Sequence, residues 1–194
     1  FNGDMSSSVE SGEQLFKAYL DASTELFAAE TPILFTRGNH ETRGVFADSL
    51  GGYFPGQDGR FYGIYRYGDV CILLLDCGED KPDGTEVYYG MNDFTQYRKD
   101  QAQFLQTELA GPEFTAAARK VLIHHIPIYG NAVAKFNPCK ELWQPHLAAA
   151  GFDVSLNGHL HRYELIEKGA SENNFPVVIG GGYKEENATV MILK

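Results

Sequence analysis

Short hydrophobic runs alternate with amphipathic segments over the first two-thirds of this chain. The apolar runs are too short for core helices and predict buried strands at 33–36, 70–76, 120–123 and 154–156. Apolar residues spaced three or four positions apart predict helices at 11–30, 93–110 and 141–150. Capping-box patterns of Ser11 with Gln14 and of Asp93 with Gln96 mark two helix starts. This alternation is typical of an α/β domain.

Other strand patterns predict antiparallel pairing. Gly68-Asp69 favours a hairpin turn between strands at 61–67 and 70–76. Three further strands are predicted in the tail, at 163–167, 176–179 and 189–193. We therefore expect an α/β fold with two mixed β-sheets packed as a sandwich and flanked by helices. No linker interrupts the pattern, so residues 1–194 are expected to form a single domain.

Composition limits the possible partners. The 194 residues are 43% hydrophobic and carry a formal charge of −10, which argues against non-specific binding of nucleic acid or of an anionic membrane. No apolar run is long enough to span a bilayer. An anionic substrate would need a local positive centre, such as a bound metal. Three cysteines do not form a disulfide framework, and Cys71 and Cys77 are expected in the core.

Polar clusters follow four of the strand ends. They are Gly3-Asp4, Gly38-Asn39-His40-Glu41, His124-His125 and Gly158-His159-Leu160-His161. Ligands bind at the carboxyl ends of strands in α/β sheets, so these clusters are expected to meet. The donors are carboxylate, amide and imidazole groups without a thiolate, which suits Zn, Mn, Fe or a similar ion rather than a structural zinc cage.

This pattern resembles the calcineurin-like metallophosphoesterase superfamily. The resemblance rests on G-D, G-N-H-E, a His shortly before a Pro at a strand end, and G-H-x-H, in that order along nearly the whole chain. It implies an αββα sandwich with a two-metal site that hydrolyses phosphoesters by in-line attack. Two metal ions clamp the phosphoryl oxygens and lower the pKa of a bridging water.

The resemblance also implies individual roles. Asp4 would bridge both metals, Asn39 and His159 would bind one of them, and His161 would bind the other. His40 matches the general acid, or a donor that stabilises the transition state. Glu41 would orient its neighbours.

Two assignments have alternatives. The usual spacing before Pro127 selects His125 as the remaining ligand, and His124 is its rival. Arg43 is a candidate for bidentate binding of the substrate phosphate, although a solvated or salt-bridged side chain accounts for it equally well. For Arg37 we favour a solvated or salt-bridged side chain over phosphate binding. An acidic surface is the expected place of Asp76.

The chain start departs from the pattern. Phe1–Asp4 resembles a strand end with no preceding strand, so we expect an N-terminally truncated fragment. The D-x-H motif of the superfamily would lie upstream and would hold the metal that His161 contacts. We therefore expect at most one metal ion, held weakly, and poor activity. The purple acid phosphatases, the branch most similar here, carry a Tyr where this chain has Ser7, so no tyrosinate-bound ferric iron is expected.

The expected function is hydrolysis of a small phosphoester. A phosphodiesterase or nucleotidase, and a non-catalytic metal-binding fragment, are the alternatives. The superfamily includes cytoplasmic and exported proteins, and we favour an exported protein, periplasmic or extracellular. The sequence indicates no oligomeric state.

Overall fold

A mixed six-stranded sheet forms the centre of the molecule. The computed structural model describes residues 1–130 and 136–193. The strands are β1 Gly63–Tyr67, β2 Val70–Leu75, β3 Arg119–His124, β4 Val154–Asn157, β5 Glu164–Ile166 and β6 Val177–Ile179. Their spatial order is β1-β2-β3-β4-β6-β5. The four inner strands are parallel, and the edge strands β1 and β5 are antiparallel to their neighbours.

Four helical segments flank this sheet. Helix α1 runs over residues 12–28 and alternates α-helical and π-helical turns. The others are α2 Phe94–Glu108, α3 Pro112–Thr115 and α4 Pro138–Leu147. Short 3₁₀ turns lie at His40–Thr42, Ala47–Gly52, Gln57–Gly59, Glu86–Tyr88 and Glu185–Asn187. No helix in the described part of the chain combines the length and the apolar character needed to cross a bilayer.

The two predicted helix caps have different outcomes. Ser11 Oγ accepts the Gln14 N–H at 3.1 Å, as the capping box predicts. The cap predicted at Asp93 is wrong, because its side chain makes no capping bond. Asp83 replaces it and accepts the N–H groups of Phe94 and Thr95. A carboxylate distant in sequence thus stabilises the start of α2.

The hydrophobic core has two parts. The larger packs α2 and α4 against the sheet and includes the fully buried Trp143. All three cysteines are buried in or beside it as free thiols, in agreement with the absence of a disulfide framework. The smaller part lies under α1, where the rings of Tyr19, Phe35 and Phe54 stack on one another. Both parts leave the carboxyl ends of β3 and β4 free for polar groups.

The α/β class and the mixed sheet are confirmed. Outside the six strands, the pairing seen in the described residues is a single parallel bridge between Asn2 and Thr36, where the run 33–36 meets the chain start. The strand predicted at 189–193 is wrong. Val190 and Ile192 are exposed there, so the apolar run has no sheet on which to pack.

Candidate metal centre

The site lies beyond the carboxyl ends of two adjacent parallel strands. Strand β3 ends at His124 and β4 ends at Asn157, so His125 and His159 follow neighbouring strand ends. The Gly158 N–H donates to the His125 carbonyl at 2.9 Å and joins the two loops. Parallel pairing therefore brings together side chains that lie 34 positions apart in the sequence.

A close approach between two loops brings Asp4 to this edge. Gly3 has φ +66°, and a Cβ on it would contact the Gly38 backbone and lie 2.7 Å from His125 Nδ1. Only glycine fits such a position without strain. Asp4 and His159 also adopt left-handed conformations, with φ 54° and 68°. Non-glycine residues in this region cost about 1–3 kcal/mol each and cluster at functional sites.

Glu41 holds the loops in place. Its carboxylate is fully buried and accepts three backbone N–H groups, from Gly38 at 2.8 Å, Asp4 at 2.7 Å and Met5 at 2.6 Å. Burial raises the pKa of Glu41, the nearby Asp4 charge adds to this, and the three N–H donors oppose it. This anchor, formed by the G-N-H-E segment, fixes the loop that carries Asp4.

Three side chains form the cluster itself. Ligand atoms of Asp4, His125 and His159 all lie within 4.8 Å of one another. Asp4 Oδ2 is 2.9 Å from His125 Nε2, and Asn39 Oδ1 is 3.0 Å from His159 Nδ1. Asn39 is almost fully buried, so its side-chain oxygen is held as a possible metal ligand beside His159. The carboxylate, amide and imidazole groups predicted to meet are therefore together.

His125 has an unsatisfied nitrogen that faces the cluster. Its Nδ1 donates to the Asn2 carbonyl at 2.7 Å, which leaves a lone pair on Nε2 in the neutral ring. Nε2 is buried and makes no hydrogen bond, although a carboxylate oxygen lies 2.9 Å away. Two acceptors at this distance repel unless a proton or a metal cation lies between them. The residues thus fit a metal ion.

The charges of Asp4 and His159 agree with this. Burial would raise the pKa of Asp4, but His125 and the His40 N–H outweigh it and lower the pKa to about 2. Burial would lower the pKa of His125, but Asp4 raises it, so in the absence of metal the ring can hold a proton that a bound metal ion would displace. Burial, reinforced by the charge of His125, lowers the pKa of His159, which favours the neutral ring with a free lone pair. An anionic carboxylate and a neutral imidazole are the forms that bind metals.

The two neighbouring histidines at the end of β3 lie in different surroundings. His124 is fully buried in the core, where its Nδ1 donates to the Ile126 carbonyl at 2.9 Å and its ring packs edge-on against Trp143. Of the two alternatives, only His125 lies in the cluster.

His40 and His161 lie outside the cluster of Asp4, His125 and His159. The His40 N–H donates to Asp4 Oδ1 at 3.0 Å, and its ring Nδ1 is 2.8 Å from the Ser7 carbonyl. His161 stays outside the group of mutually close ligand atoms in the described residues. Its ring packs edge-on against Tyr183, and its carbonyl accepts the Asn187 amide.

Both arginines of this region form ion pairs. Arg43 donates from Nε and Nη2 to the two oxygens of Glu79, at 2.6 and 2.8 Å. These hydrogen bonds raise the pKa of Arg43 despite its partial burial. Arg37 pairs with Asp76, as favoured above. The bidentate face of Arg43 is therefore occupied by a protein carboxylate.

Two buried carboxylates were missed by sequence reasoning. Asp76 was expected on an acidic surface, and this is wrong: it is fully buried and accepts from Arg37, Tyr97 and the Gly78 N–H. Glu79 is 2% exposed. Both follow the end of β2, which is the signal that located the other clusters.

Two solved structures have a fold similar to that of this chain. The chain matches a structure of PhoD with a TM-score of 0.50 and 16% identity, over 77% of this chain and 39% of that one. It matches the crystal structure of a dimetal phosphatase from Danio rerio with a TM-score of 0.55 and 14% identity, over 86% of this chain and 66% of that one. These similarities confirm the expected metallophosphatase fold. A search of curated proteins finds no match.

The sequence profile of one family covers most of the chain. Calcineurin-like phosphoesterase matches residues 1–163, which include every residue of the cluster described above. Because the match extends over far more than half of the 194 residues, the chain belongs to the calcineurin-like phosphoesterase family.

Proposed function

We propose that this chain carries the centre of a metal-dependent phosphoester hydrolase, in which Asp4, Asn39, His125 and His159 bind a metal ion. The observation that supports this most directly is the buried, unpartnered Nε2 of His125, 2.9 Å from the Asp4 carboxylate. Such an arrangement needs a proton or a metal ion between the two groups, and it is the arrangement that two ligands of one ion adopt. Family membership supplies the reaction class.

The donor set suits a catalytic ion. One carboxylate, one amide oxygen and two imidazoles favour Zn, Mn or Fe over Ca or Mg. When bound, the ion would polarise a phosphoryl oxygen and lower the pKa of a water molecule. It would also supply the positive centre that a phosphoester needs in a chain of charge −10.

The chain's own residues have distinct tasks in this proposal. Glu41 keeps Asp4 in place through three backbone N–H groups. His40 is held to Asp4 by its N–H and to Ser7 by its ring Nδ1. Nε2 of His40 is then the nitrogen that can hold a proton for the leaving oxygen.

In contrast to the weak binding expected from the sequence, we propose one tightly bound ion per chain rather than two. The four donors named above gather at one point, whereas His161 lies beside Tyr183 and outside the close group in the described residues. A second ion at His161 would have fewer protein ligands and would bind weakly.

Metal titration tests this proposal. Metal-free protein titrated with Mn²⁺ or Zn²⁺ in a calorimeter is expected to bind one ion tightly. His161→Ala should change that affinity by less than about threefold, or ~0.7 kcal/mol. No binding would refute the metal centre, and two tight ions would refute the stoichiometry.

Turnover separates the remaining alternatives. The metal-loaded protein is given p-nitrophenyl phosphate and bis(p-nitrophenyl) phosphate. Faster release of nitrophenol from the first supports a phosphatase, and faster release from the second supports a phosphodiesterase. A loaded protein that hydrolyses neither ester would overturn the hydrolase assignment in favour of a non-catalytic metal-binding fragment.

A further inference from the structure

A buried carboxylate beside the metal centre is fully occupied by hydrogen bonds. Glu79 Oε1 accepts from Arg43 Nε at 2.6 Å and from the Thr42 hydroxyl at 3.1 Å. Its Oε2 accepts from Arg43 Nη2 and the Tyr88 hydroxyl, both at 2.8 Å. A buried carboxylate with this many hydrogen-bond donors is held in one orientation, and it therefore also fixes the side chains that donate to it.

The backbone of Glu79 is held as firmly as its side chain. Arg98 of helix α2 is 1% exposed and donates to the carbonyls of Cys77 and Glu79, at 2.8 and 2.6 Å. The segment after β2 is therefore anchored to the core. Because both the backbone and the carboxylate are fixed, Glu79 forms a rigid support for Arg43.

Arg43 keeps one nitrogen for another partner. Glu79 takes Nε and Nη2, and Nη2 also lies 3.4 Å from Asp80. Nη1 has a single contact, 3.5 Å from Nδ1 of His40, and the Arg43 side chain is 30% exposed. Nδ1 of His40 is already bound to Ser7, so the hydrogens of Nη1 have no strong acceptor among these groups.

The other arginine pair of this region is enclosed. The Arg37 guanidinium lies 4.3 Å from the centroid of the Phe61 ring, with Phe94 and Tyr97 also within 6 Å, and its side chain is only 13% exposed. Arg37 thus joins elements of the fold. Arg43 differs because its free nitrogen lies beside His40, whose N–H contacts Asp4.

We propose that Glu79 is a positioning residue, which holds Arg43 so that Nη1 donates to a phosphoryl oxygen of the substrate next to His40. This inference rests on the proposed function. Since Glu79 neutralises the charge of Arg43, the arginine contributes a directed hydrogen bond more than a general attraction for anions. A lysine has no planar fork and could not satisfy Glu79 and the substrate together.

Phosphate binding by the Mn²⁺-loaded protein tests this. Glu79→Gln removes the charge and one acceptor, and it should weaken binding of inorganic phosphate about tenfold, in the range found for residues that orient a site. The measurement is ³¹P line broadening by the bound Mn²⁺, which needs no turnover. The matched control is Asp80→Asn, which removes one charge beside Arg43 but keeps the bidentate pair, and it should change phosphate affinity by less than about twofold.

Two outcomes would overturn the proposal. Equal effects of Glu79→Gln and Asp80→Asn would mean that charge, not orientation, matters. An undiminished effect of Glu79→Gln in an Arg43→Ala background would mean that Glu79 does not act through Arg43. If Glu79→Gln does not fold, Tyr88→Phe, which removes one donor from the carboxylate, replaces it. It should weaken phosphate binding about threefold, and no change would refute the proposal.

The failure of this proposal is distinguishable from failure of the metal centre. Mn²⁺ affinity is measured on each variant and should stay within about threefold of wild type, because Glu79 does not touch the cluster. Wild-type protein that binds no Mn²⁺ would refute the proposed function. Wild-type protein that binds Mn²⁺ and phosphate, with a Glu79→Gln variant that binds both equally well, would refute the positioning role alone.

Discussion

The two histidines at the end of strand β3 show how differently the same residue type can be used. His124 and His125 are consecutive, and both are buried. His124 faces the core, where its Nδ1 is hydrogen-bonded and its ring packs on Trp143. His125 faces the polar edge, where its Nε2 has no partner and a carboxylate lies 2.9 Å away. The surroundings of His124 need no ligand, whereas the Nε2 of His125 is available to bind one.

This difference shows which part of the fold contains energetically unfavourable features. On the core side, His124 is hydrogen-bonded to the Ile126 carbonyl and its ring packs against Trp143. The polar edge has two non-glycine residues in left-handed conformations, a buried unpaired nitrogen and a buried Glu41. Features of this kind destabilise a fold and persist at functional sites, where a ligand or the surrounding structure compensates for them.

The largest effect is expected from His125→Ala. The substitution removes a direct metal ligand that no neighbour can replace. Loss of a residue that only hydrogen-bonds to a ligand costs up to about a hundredfold in metal affinity, so Mn²⁺ or Zn²⁺ affinity should fall by more than that. Calorimetric titration measures it. The free energy of unfolding of the metal-free protein should fall less than for His124→Ala, because removal of the unsatisfied nitrogen partly offsets the loss of the hydrogen bond to Asn2. Unchanged metal affinity would contradict the proposal that His125 is a metal ligand.

His124→Ala should have the opposite profile. The truncation leaves a cavity beside Trp143 and removes the hydrogen bond to Ile126, so the free energy of unfolding should fall by about 2–3 kcal/mol. Urea unfolding monitored by tryptophan fluorescence measures this, because Trp143 is the single tryptophan. Metal affinity of the folded variant should stay close to wild type. If His124→Ala weakened metal binding as much as His125→Ala does, the two histidines would not have separate roles in stability and metal binding.

A smaller effect is expected from Gly3→Ala. The new Cβ would contact the Gly38 backbone and lie 2.7 Å from His125 Nδ1, so the loop of Asp4 must shift. Metal affinity should fall about tenfold, since small displacements of ligands are costly. The control is Gly151→Ala, which shares a positive φ of +74° but has no atom within 4 Å of the added carbon. Gly151→Ala should reduce stability by about 1 kcal/mol and leave metal affinity unchanged.

Much of this site could be predicted from local sequence. Glycine followed by a polar side chain after each buried strand identified Asp4, Asn39 and His159 as groups at one sheet edge. The α/β class followed from the alternation of apolar runs and helical spacing. These features depend on short segments, whose periodicity and turn residues are visible in the chain itself.

Other features depended on contacts between distant residues. The helix cap from Asp83 and the core-side partners of His124 join segments that local patterns do not connect. Asp76 and Glu79 resemble surface acids in the sequence because nothing near them indicates the arginines that bury them. The run 189–193 has the composition of a strand but lacks a partner in space.

The sequence by itself determined the class of the domain, the family and the groups that meet at the sheet edge. The tertiary structure decided which of two adjacent histidines joins them and that Arg43 is held by Glu79. The reason is physical: an apolar or turn pattern acts over a few residues, whereas burial, ion pairing and side-chain direction depend on what the folded chain brings alongside.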